Sequence, residues 1–159
     1  VPIAIAANEE LLLHVIEFTG AVPFSEIEAL GRVHAANLSW AGADTFHIIE
    51  DNADLSAITD AHLDAMRAHY RTVHEGIDFF LLRRSGWVCR SAQAWRVAEY
   101  WLRERHSRDG QGTEVYLAAR LEDLSEMFSA EEIEAVAART EFVELWRADH
   151  TATPKQSAP

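Results

Sequence analysis

The sequence contains one cysteine, Cys89, among 159 residues, so an internal disulfide is excluded. Cys89 precedes Arg90 at the predicted start of a helix, where the helix N-terminus and nearby arginines could lower the pKa of a thiol. We expect a buried, unreactive side chain instead, because a free cysteine usually packs as a small hydrophobe.

Long apolar runs are also missing. No segment approaches the roughly 20 apolar residues that a membrane-spanning helix needs. The opening VPIAIAANEELLL has no basic region before its apolar residues, which distinguishes it from a secretory leader. We therefore predict a cytoplasmic protein with no membrane span.

Basic residues are scarce relative to acidic ones. The 14 lysines and arginines face 26 aspartates and glutamates, which gives a formal net charge of -12. A nucleic-acid partner is not expected, because binding a phosphate backbone requires cations. With 48% hydrophobic and 25% charged residues the composition is that of an ordinary folded chain, and its acidity favours solubility or a basic protein partner.

The common catalytic and cofactor motifs are absent. The sequence has no GxSxG, HExxH or CxxC motif and no GxGxxG or GxxxxGK[ST] phosphate loop. His62 and His69 would lie roughly 10 Å apart along a helix, which is too far for one metal ion. We therefore predict no enzymatic activity, no catalytic residues, no cofactor and no metal.

The stretch from residue 44 to residue 73 organises the rest of the chain. Phe46, Ile48 and Ile49 form a short apolar run that predicts a buried strand. The polar segment EDNADLS follows and is typical of a turn that leads into a helix. The helix is predicted from a single apolar stripe, formed by Leu63, Met66, Tyr70 and Val73.

The remaining elements alternate along the chain. Strands are predicted at 3–6 (an edge strand), 11–19, 77–82 (an interior strand), 113–119 and 141–146, and helices at 24–37, 88–106, 121–128 and 129–139. Ser129 and Glu132 form the capping box that opens the last helix. This order predicts one α/β domain over 1–149, with a mixed, mostly parallel sheet and crossover helices. Residues 150–159 lack large apolar side chains and are predicted to be a disordered tail.

The turn carries a family resemblance. Asp54-Leu55-Ser56 after an acidic turn, the segment EFTGAVPFSEIEALG and the order of elements resemble the STAS domain of bacterial anti-sigma-factor antagonists, and more closely its SpoIIAA-like relatives, over about residues 11–124. The resemblance implies helices stacked mainly on one face of the sheet. It also implies a partner-binding turn, with the candidate residues Asp51, Asp54, Ser56, Thr59 and Asp60.

The resemblance also bears on phosphorylation. In the antagonists a serine in this turn accepts the phosphoryl group, whereas here Asp60 occupies the aligned position. A carboxylate has no hydroxyl to phosphorylate, and its single charge only partly imitates a phosphate. We predict that the protein is not switched by phosphorylation at this position.

Arg83, Arg84 and Arg90 form the densest basic cluster, and together with Trp87 they follow the predicted strand at 77–82. Ligands of open α/β sheets bind beyond the carboxyl ends of strands, so these four residues are candidates for binding a carboxylate or phosphate. Such arginines also commonly pair with surface acids or cover apolar surface. Aromatic walls for a pocket would come from Phe79, Phe80, Trp87 and Trp95.

Two functions remain in view. The first is a non-enzymatic interaction or regulatory module of the STAS-like type, which uses the acidic turn. The alternative is a carrier or sensor of a small apolar or anionic ligand, a role also suspected for SpoIIAA-like relatives. Trp101 falls partly off the predicted inner stripe of its helix. A tryptophan at such a position either caps the core or marks a subunit interface. We predict that the protein forms a homodimer. That stripe is predicted to comprise Val88, Ala92, Trp95, Ala98 and Leu102.

Overall fold

The computed structural model describes residues 2–75, 83–103 and 113–148, with the backbone alone at 41, over 70–75 and at 113. Six strands and four α-helices make up this part of the chain, together with 3-10 helices at Leu38–Gly42 and Leu121–Leu124. In chain order the elements are β1 (Ile3–Asn8), β2 (Leu13–Phe18), α1 (Phe24–Ala36), β3 (Asp44–Ile49), α2 (Asp60–Glu75), β4 (Arg83–Cys89), α3 (Ala92–Leu102), β5 (Thr113–Ala118), α4 (Ala130–Ala138) and β6 (Val143–Arg147).

The strands form one mixed sheet in the order β5-β4-β3-β2-β1-β6. The four strands β2, β3, β4 and β5 are mutually parallel, and β1 runs antiparallel to its neighbours β2 and β6. This confirms the predicted α/β fold with a mostly parallel sheet. The predicted edge position of the first strand is wrong, because β6 covers its outer side and leaves Ile3 and Ile5 fully buried.

The helices lie mainly on one face of the sheet, as expected. From β2 to β5 every crossover moves in the same direction, so right-handed connections place α1, α2 and α3 on the same side. The helix α4 instead connects the two opposite edges, β5 and β6, and packs with the 3-10 helix Leu121–Leu124 against the other face. We call the two sides the three-helix face and the α4 face.

The α4 face is closely packed. The rings of Phe46 and Phe128 lie 4.1 Å apart between centroids, and both side chains are buried. Gly86 of β4 is covered by the same layer, where an added Cβ would lie 2.8 Å from Cδ1 of Leu124. A glycine inside a strand often marks such a close approach.

The boundaries of β4 and α3 correct the sequence prediction. The predicted interior strand at 77–82 lies outside the described residues, and the strand next to β3 is Arg83–Cys89. Helix α3 begins only at Ala92, because Ser91 caps it by accepting a hydrogen bond from the Ala94 amide at 3.1 Å. Arg83 and Arg84 therefore belong to the described part of a strand, although they were predicted to follow one.

Other predicted elements agree more closely. The capping box of Ser129 and Glu132 is present and opens α4. The predicted helix at 121–128 is reduced to a short 3-10 helix. The buried residues of α3 are Ala94, Val97, Ala98 and Leu102, so the predicted stripe through Val88, Ala92 and Trp95 is wrong in its first half. The predicted tail at 150–159 lies outside the described residues.

Candidate functional site

A cavity of about 190 Å³ lies between the sheet and the three-helix face. The described residues of its lining come from β2, β3 and β4 below, from α1, α2 and α3 above, and from connections between these elements. Most of its lining is apolar, including Phe18, Leu30, Ile49, Leu55, Ile58 and Leu63.

Polar side chains line the floor of the cavity. Thr45 and His47 of β3 and Ser85 of β4 all border it. The ring of His47 stacks on Trp87 with centroids 4.0 Å apart and planes 7° from parallel. The indole Nε1–H of Trp87 donates to Ser85 Oγ at 3.1 Å, and that oxygen lies 3.5 Å from His47 Nδ1. These contacts fix the orientation of a polar group inside a largely apolar chamber.

A second polar group lies at the amino ends of the parallel strands. The ring of Trp40 meets His14 and His34 edge to face, at centroid distances of 6.0 and 6.2 Å. His34 Nδ1 lies 3.2 Å from the carbonyl oxygen of Leu30. Because a carbonyl only accepts, Nδ1 must carry the hydrogen, and Nε2 of the neutral ring is left as an acceptor.

The charge state of this group follows from burial. Burial lowers the pKa of His34, and the nearby His14 and Arg83 lower it further, whereas the hydrogen bond to Leu30 opposes the shift. Burial also lowers the pKa values of His14 and of Arg83. Both histidines are therefore held towards their neutral form.

The four predicted ligand-binding residues do not converge. Arg83, Arg84 and Trp87 border the cavity. The guanidinium of Arg84, however, lies on the α4 face, 2.7 Å from carboxylate oxygens of both Asp44 and Glu132, and these contacts raise the pKa of Arg84. Arg90 lies at the carboxyl end of β4 and pairs with Glu50 at 3.1 Å.

Of the aromatic residues that were predicted to form the walls of a pocket, only some line the cavity. Phe79 and Phe80 lie outside the described residues. Trp95 is half-buried and donates from Nε1 to Glu99 at 3.1 Å rather than lining the cavity. Trp101 does line it, which gives this off-stripe tryptophan a place inside the protomer.

The five predicted partner-binding residues are all exposed: four lie on the turn between β3 and α2, and Asp60 is the first residue of α2. The Asp54 carboxylate accepts a hydrogen bond from the Ser56 amide at 2.9 Å, and its hydrogen bonds with Ser56 lower the pKa of Asp54. Thr59 caps α2, since its Oγ1 accepts from the His62 amide at 3.1 Å. The remaining two are exposed acids, Asp51 and Asp60, the second 3.7 Å from Arg96.

This turn and the cavity share residues. Between its exposed polar residues the turn places Leu55 and Ile58, which are buried and line the cavity. The Leu55 amide donates to Gln93 Oε1 of α3 at 2.9 Å. The inner side of the acidic turn is therefore one wall of the cavity.

Cys89 ends β4 instead of starting a helix. Its side chain is 2% exposed, and burial raises the pKa of the thiol to about 12. The activated thiol considered from the sequence is therefore contradicted, because a buried thiol in apolar surroundings is poorly ionised.

Several residues of the cavity with a polar group were missed by the sequence prediction: His34, Trp40, Thr45, His47 and Ser85. The sequence contains a partial signal for two of these residues. Thr45 and His47 alternate with apolar residues on a strand that was predicted to be buried, and a polar residue on a doubly covered strand must face either water or a chamber.

Within residues 2–75, 83–103 and 113–148, no three acidic, histidine or cysteine side chains are grouped as ligands for a metal ion. No helix in this part of the chain is long and apolar enough to cross a membrane. Comparisons with family models, with curated proteins and with solved structures found no match to the chain.

Proposed function

We propose that the protein is a non-enzymatic carrier or sensor that holds one compact, largely apolar molecule in the cavity of the three-helix face. The supporting observation is the cavity itself, at about 190 Å³. An apolar cavity of roughly 150 Å³ is known to admit benzene, so a ligand of about ten non-hydrogen atoms is expected.

The lining of the cavity supports a binding site over a packing defect. Voids larger than a water molecule are few in native proteins. Ligand pockets combine apolar walls with a few oriented polar groups, and here His34, His47 and Ser85 are each oriented by a hydrogen bond or a ring contact. A pocket of this kind between the sheet and the helices favours the ligand-binding alternative over an exclusively surface-based role.

An enzymatic role has weaker support. Ser85 and His47 are the pair on which it would rest, and their 3.5 Å separation exceeds the roughly 2.6–3.2 Å expected of a nucleophile and its base. The Trp87 indole also donates to the same serine oxygen. These contacts suit a fixed polar wall better than an activated hydroxyl.

Titration with 1-octanol tests the proposal. Trp40, Trp87 and Trp101 line the cavity, so binding should change the intrinsic fluorescence saturably. It should also raise the midpoint of thermal unfolding, because a ligand that binds only the folded state stabilises it. Absence of both responses up to the solubility limit, for the alcohol and for octanoate, would remove the proposal.

A pair of alanines on α3 provides a matched test. Ala94 and Ala98 are equally buried at 1% exposure, but only Ala98 lines the cavity. Ala98→Leu should fill the cavity, keep or increase the stability and abolish octanol binding. Ala94→Leu should cost about 1–3 kcal/mol through overpacking. Equal destabilisation by both variants would contradict an open cavity beside Ala98.

The interaction module of the STAS-like type remains the second candidate. It is supported by the exposure of Asp54, Asp60 and their neighbours on one turn and by the element order quoted above for the family resemblance. We propose that Leu55 and Ile58 transmit ligand occupancy to this turn. Recovery of a partner from a native lysate should be lost on Asp54→Lys plus Asp60→Lys. It should persist on the control Glu122→Lys plus Glu126→Lys, which alters exposed acids elsewhere.

Phosphorylation and assembly remain predictions. Thr59 Oγ1 is engaged as a helix cap, which fits the expectation of no phosphoryl switch in this turn. A substantial species one phosphate heavier, mapped to Ser56 or Thr59 by mass spectrometry of protein from its own cells, would overturn that expectation. A sedimentation mass near 17.9 kDa at micromolar concentration would reject the homodimer.

A further inference from the structure

Two hydroxyl groups lie side by side on the floor of the cavity. Thr45 of β3 and Ser85 of β4 occupy directly paired positions of two parallel strands, and both residues border the cavity. Their side chains are on the same face of the sheet and stand roughly 4.8 Å apart, which is the spacing between neighbouring strands. A ligand that reaches this part of the floor therefore meets both hydroxyl groups at once.

The hydroxyl of Thr45 is already used as a hydrogen-bond donor. Its Oγ1 donates to the carbonyl oxygen of Ala43 at 3.2 Å. A threonine hydroxyl carries one hydrogen and two lone pairs, so Oγ1 can offer only a lone pair to a ligand. A ligand group that pairs with Thr45 must therefore be a hydrogen-bond donor.

The hydroxyl of Ser85 is used in the opposite sense. Its Oγ accepts a hydrogen bond from the indole Nε1–H of Trp87 at 3.1 Å, which occupies one lone pair and leaves the hydroxyl hydrogen. Among the described residues, that hydrogen is within reach of His47 Nδ1 at 3.5 Å, a separation that is long for a hydrogen bond. Ser85 can therefore donate to a ligand that offers a closer acceptor.

We propose that Thr45 and Ser85 recognise the hydroxyl group of a neutral alcohol or phenol, which donates to Thr45 Oγ1 and accepts the hydrogen of Ser85. One oxygen atom between two hydroxyl groups about 4.8 Å apart lies roughly 2.8 Å from each, at a nearly tetrahedral angle. The inference rests on the proposed function, because it needs a ligand in this cavity. It also places the polar head of the ligand near the amino end of β3, whereas the sequence predicted a ligand at the carboxyl ends of the strands.

The same two hydroxyl groups disfavour other head groups. A ketone, an ether or a carboxylate has no hydrogen for Thr45, so its lone pairs would face those of Oγ1. An ammonium group could donate to Oγ1, but its charge would be costly to bury among the apolar residues that form most of the lining. A site that is built to bond a hydroxyl group rejects an analogue without one, because the polar groups of the site are then left unpaired.

Calorimetric titration with 1-octanol and with heptyl methyl ether tests the inference. The two probes are isomers, so they contain the same atoms and differ in that the ether oxygen carries no hydrogen. Octanol should bind roughly five- to tenfold more tightly than the ether, as expected of one hydrogen bond that the ether cannot make.

Three variants separate the roles, and a fourth is the control. Thr45→Val has nearly the same shape without the hydroxyl group and should bind the two probes about equally. Thr45→Ser keeps the hydroxyl group and should keep the preference for octanol, which guards against a loss caused by misfolding. Ser85→Ala should weaken the binding of both probes, because both oxygens accept the hydrogen of Ser85. Thr140→Val makes the same exchange at an exposed threonine and should change neither affinity.

The outcomes are distinguishable. Failure of both probes to bind would overturn the proposed function and this inference together. Equal binding of octanol and the ether to the unaltered protein would overturn the hydroxyl site and leave the proposed function standing. A preference for octanol that persists in Thr45→Val would overturn the role of Thr45, and unchanged affinities in Ser85→Ala would overturn the role of Ser85.

Discussion

The two faces of the sheet are built from the same strands, but one is closely packed and the other borders a cavity. On the α4 face β3 and β4 present Phe46, Ile48, Gly86 and Val88, which pack without room for an added methyl at Gly86. On the three-helix face the alternate residues Thr45, His47, Ser85 and Trp87 border a cavity. Successive residues of a strand point to opposite faces, so one strand can stabilise the fold and shape the candidate site at the same time.

The difference also concerns charge. On the α4 face the guanidinium of Arg84 is neutralised by two carboxylates and lies 4.4 Å from the centre of the Phe128 ring. On the three-helix face no carboxylate lines the cavity among the described residues. We infer that the α4 face contributes more packing to stability than the part of the three-helix face that borders the cavity.

The largest effect is expected from Phe46→Ala on the α4 face. Phe46 is completely buried, and removing such a ring leaves a void as well as losing transfer free energy. We expect the free energy of unfolding to fall by about 3–5 kcal/mol, measured by urea denaturation.

His47→Ala is the matched comparison on the next residue of the strand. This variant loses the stacking of His47 on Trp87, for which a cost of about 1 kcal/mol is expected. If both variants lower the free energy of unfolding by the same amount, the inferred difference in stability between the two faces is wrong.

A smaller loss is expected from Gly86→Ala. The new Cβ would lie 2.8 Å from Leu124 and 3.0 Å from Phe128, both buried side chains. Overpacking of this kind costs about 1–3 kcal/mol. Thr45→Val, which faces the cavity, should cost about 1 kcal/mol or less because it loses at most one hydrogen bond. A neutral or stabilising effect of Gly86→Ala would show that the α4 face is packed loosely enough to accept an added methyl group.

The α4 face was more accessible to sequence reasoning than the cavity. The apolar run at β3 and the capping box of Ser129 and Glu132 were predicted because each depends on neighbouring residues in the chain. The mostly parallel sheet followed from the alternation of elements. These features require no knowledge of what packs above a strand.

The cavity depended on information that a pattern does not contain. An alternation such as Thr45-Phe46-His47-Ile48 is equally typical of a strand with one face in water, and only the placement of α1, α2 and α3 makes that face one wall of a cavity. Strand β4, RRSGWVC, has no strand-like alternation. It is held in the sheet by pairing with β3 and β5 on both sides, which overrides its weak propensity. The shift of β4 explains why Arg83, Arg84 and Arg90 were predicted together but lie apart.

A pH-dependent effect of about 1 kcal/mol is expected from Glu132 on the α4 face. Burial would raise the pKa of Glu132, but hydrogen bonds from Arg84 and from the Ser129 amide and hydroxyl outweigh it, and the pKa lies below its usual 4.5. A carboxylate with a lowered folded-state pKa stabilises the fold above the unfolded pKa, and that stability is lost as the pH falls through the folded value.

Glu132→Gln should therefore be less stable than the parent near neutral pH and approach it on acidification below pH 4.5. A constant difference between the two proteins across this range would contradict the ion pair as its source.

The smallest effect is expected at Cys89, which tests whether the three-helix face is sealed at the carboxyl ends of the strands. The thiol is 2% exposed and packs in the same core cluster as Trp87 and Ile49. Burial raises the pKa of Cys89 to about 12, so at about pH 8 only roughly one thiol in ten thousand would be ionised, against about a quarter of unperturbed thiols.

Native protein treated with iodoacetamide should therefore remain unmodified by intact mass, while the same protein in concentrated urea should be alkylated at once. Octanol should leave this result unchanged, because the predicted ligand fills a cavity that already exists. Rapid alkylation of the native protein, slowed by octanol, would show instead that the face opens towards the acidic turn and closes on its ligand.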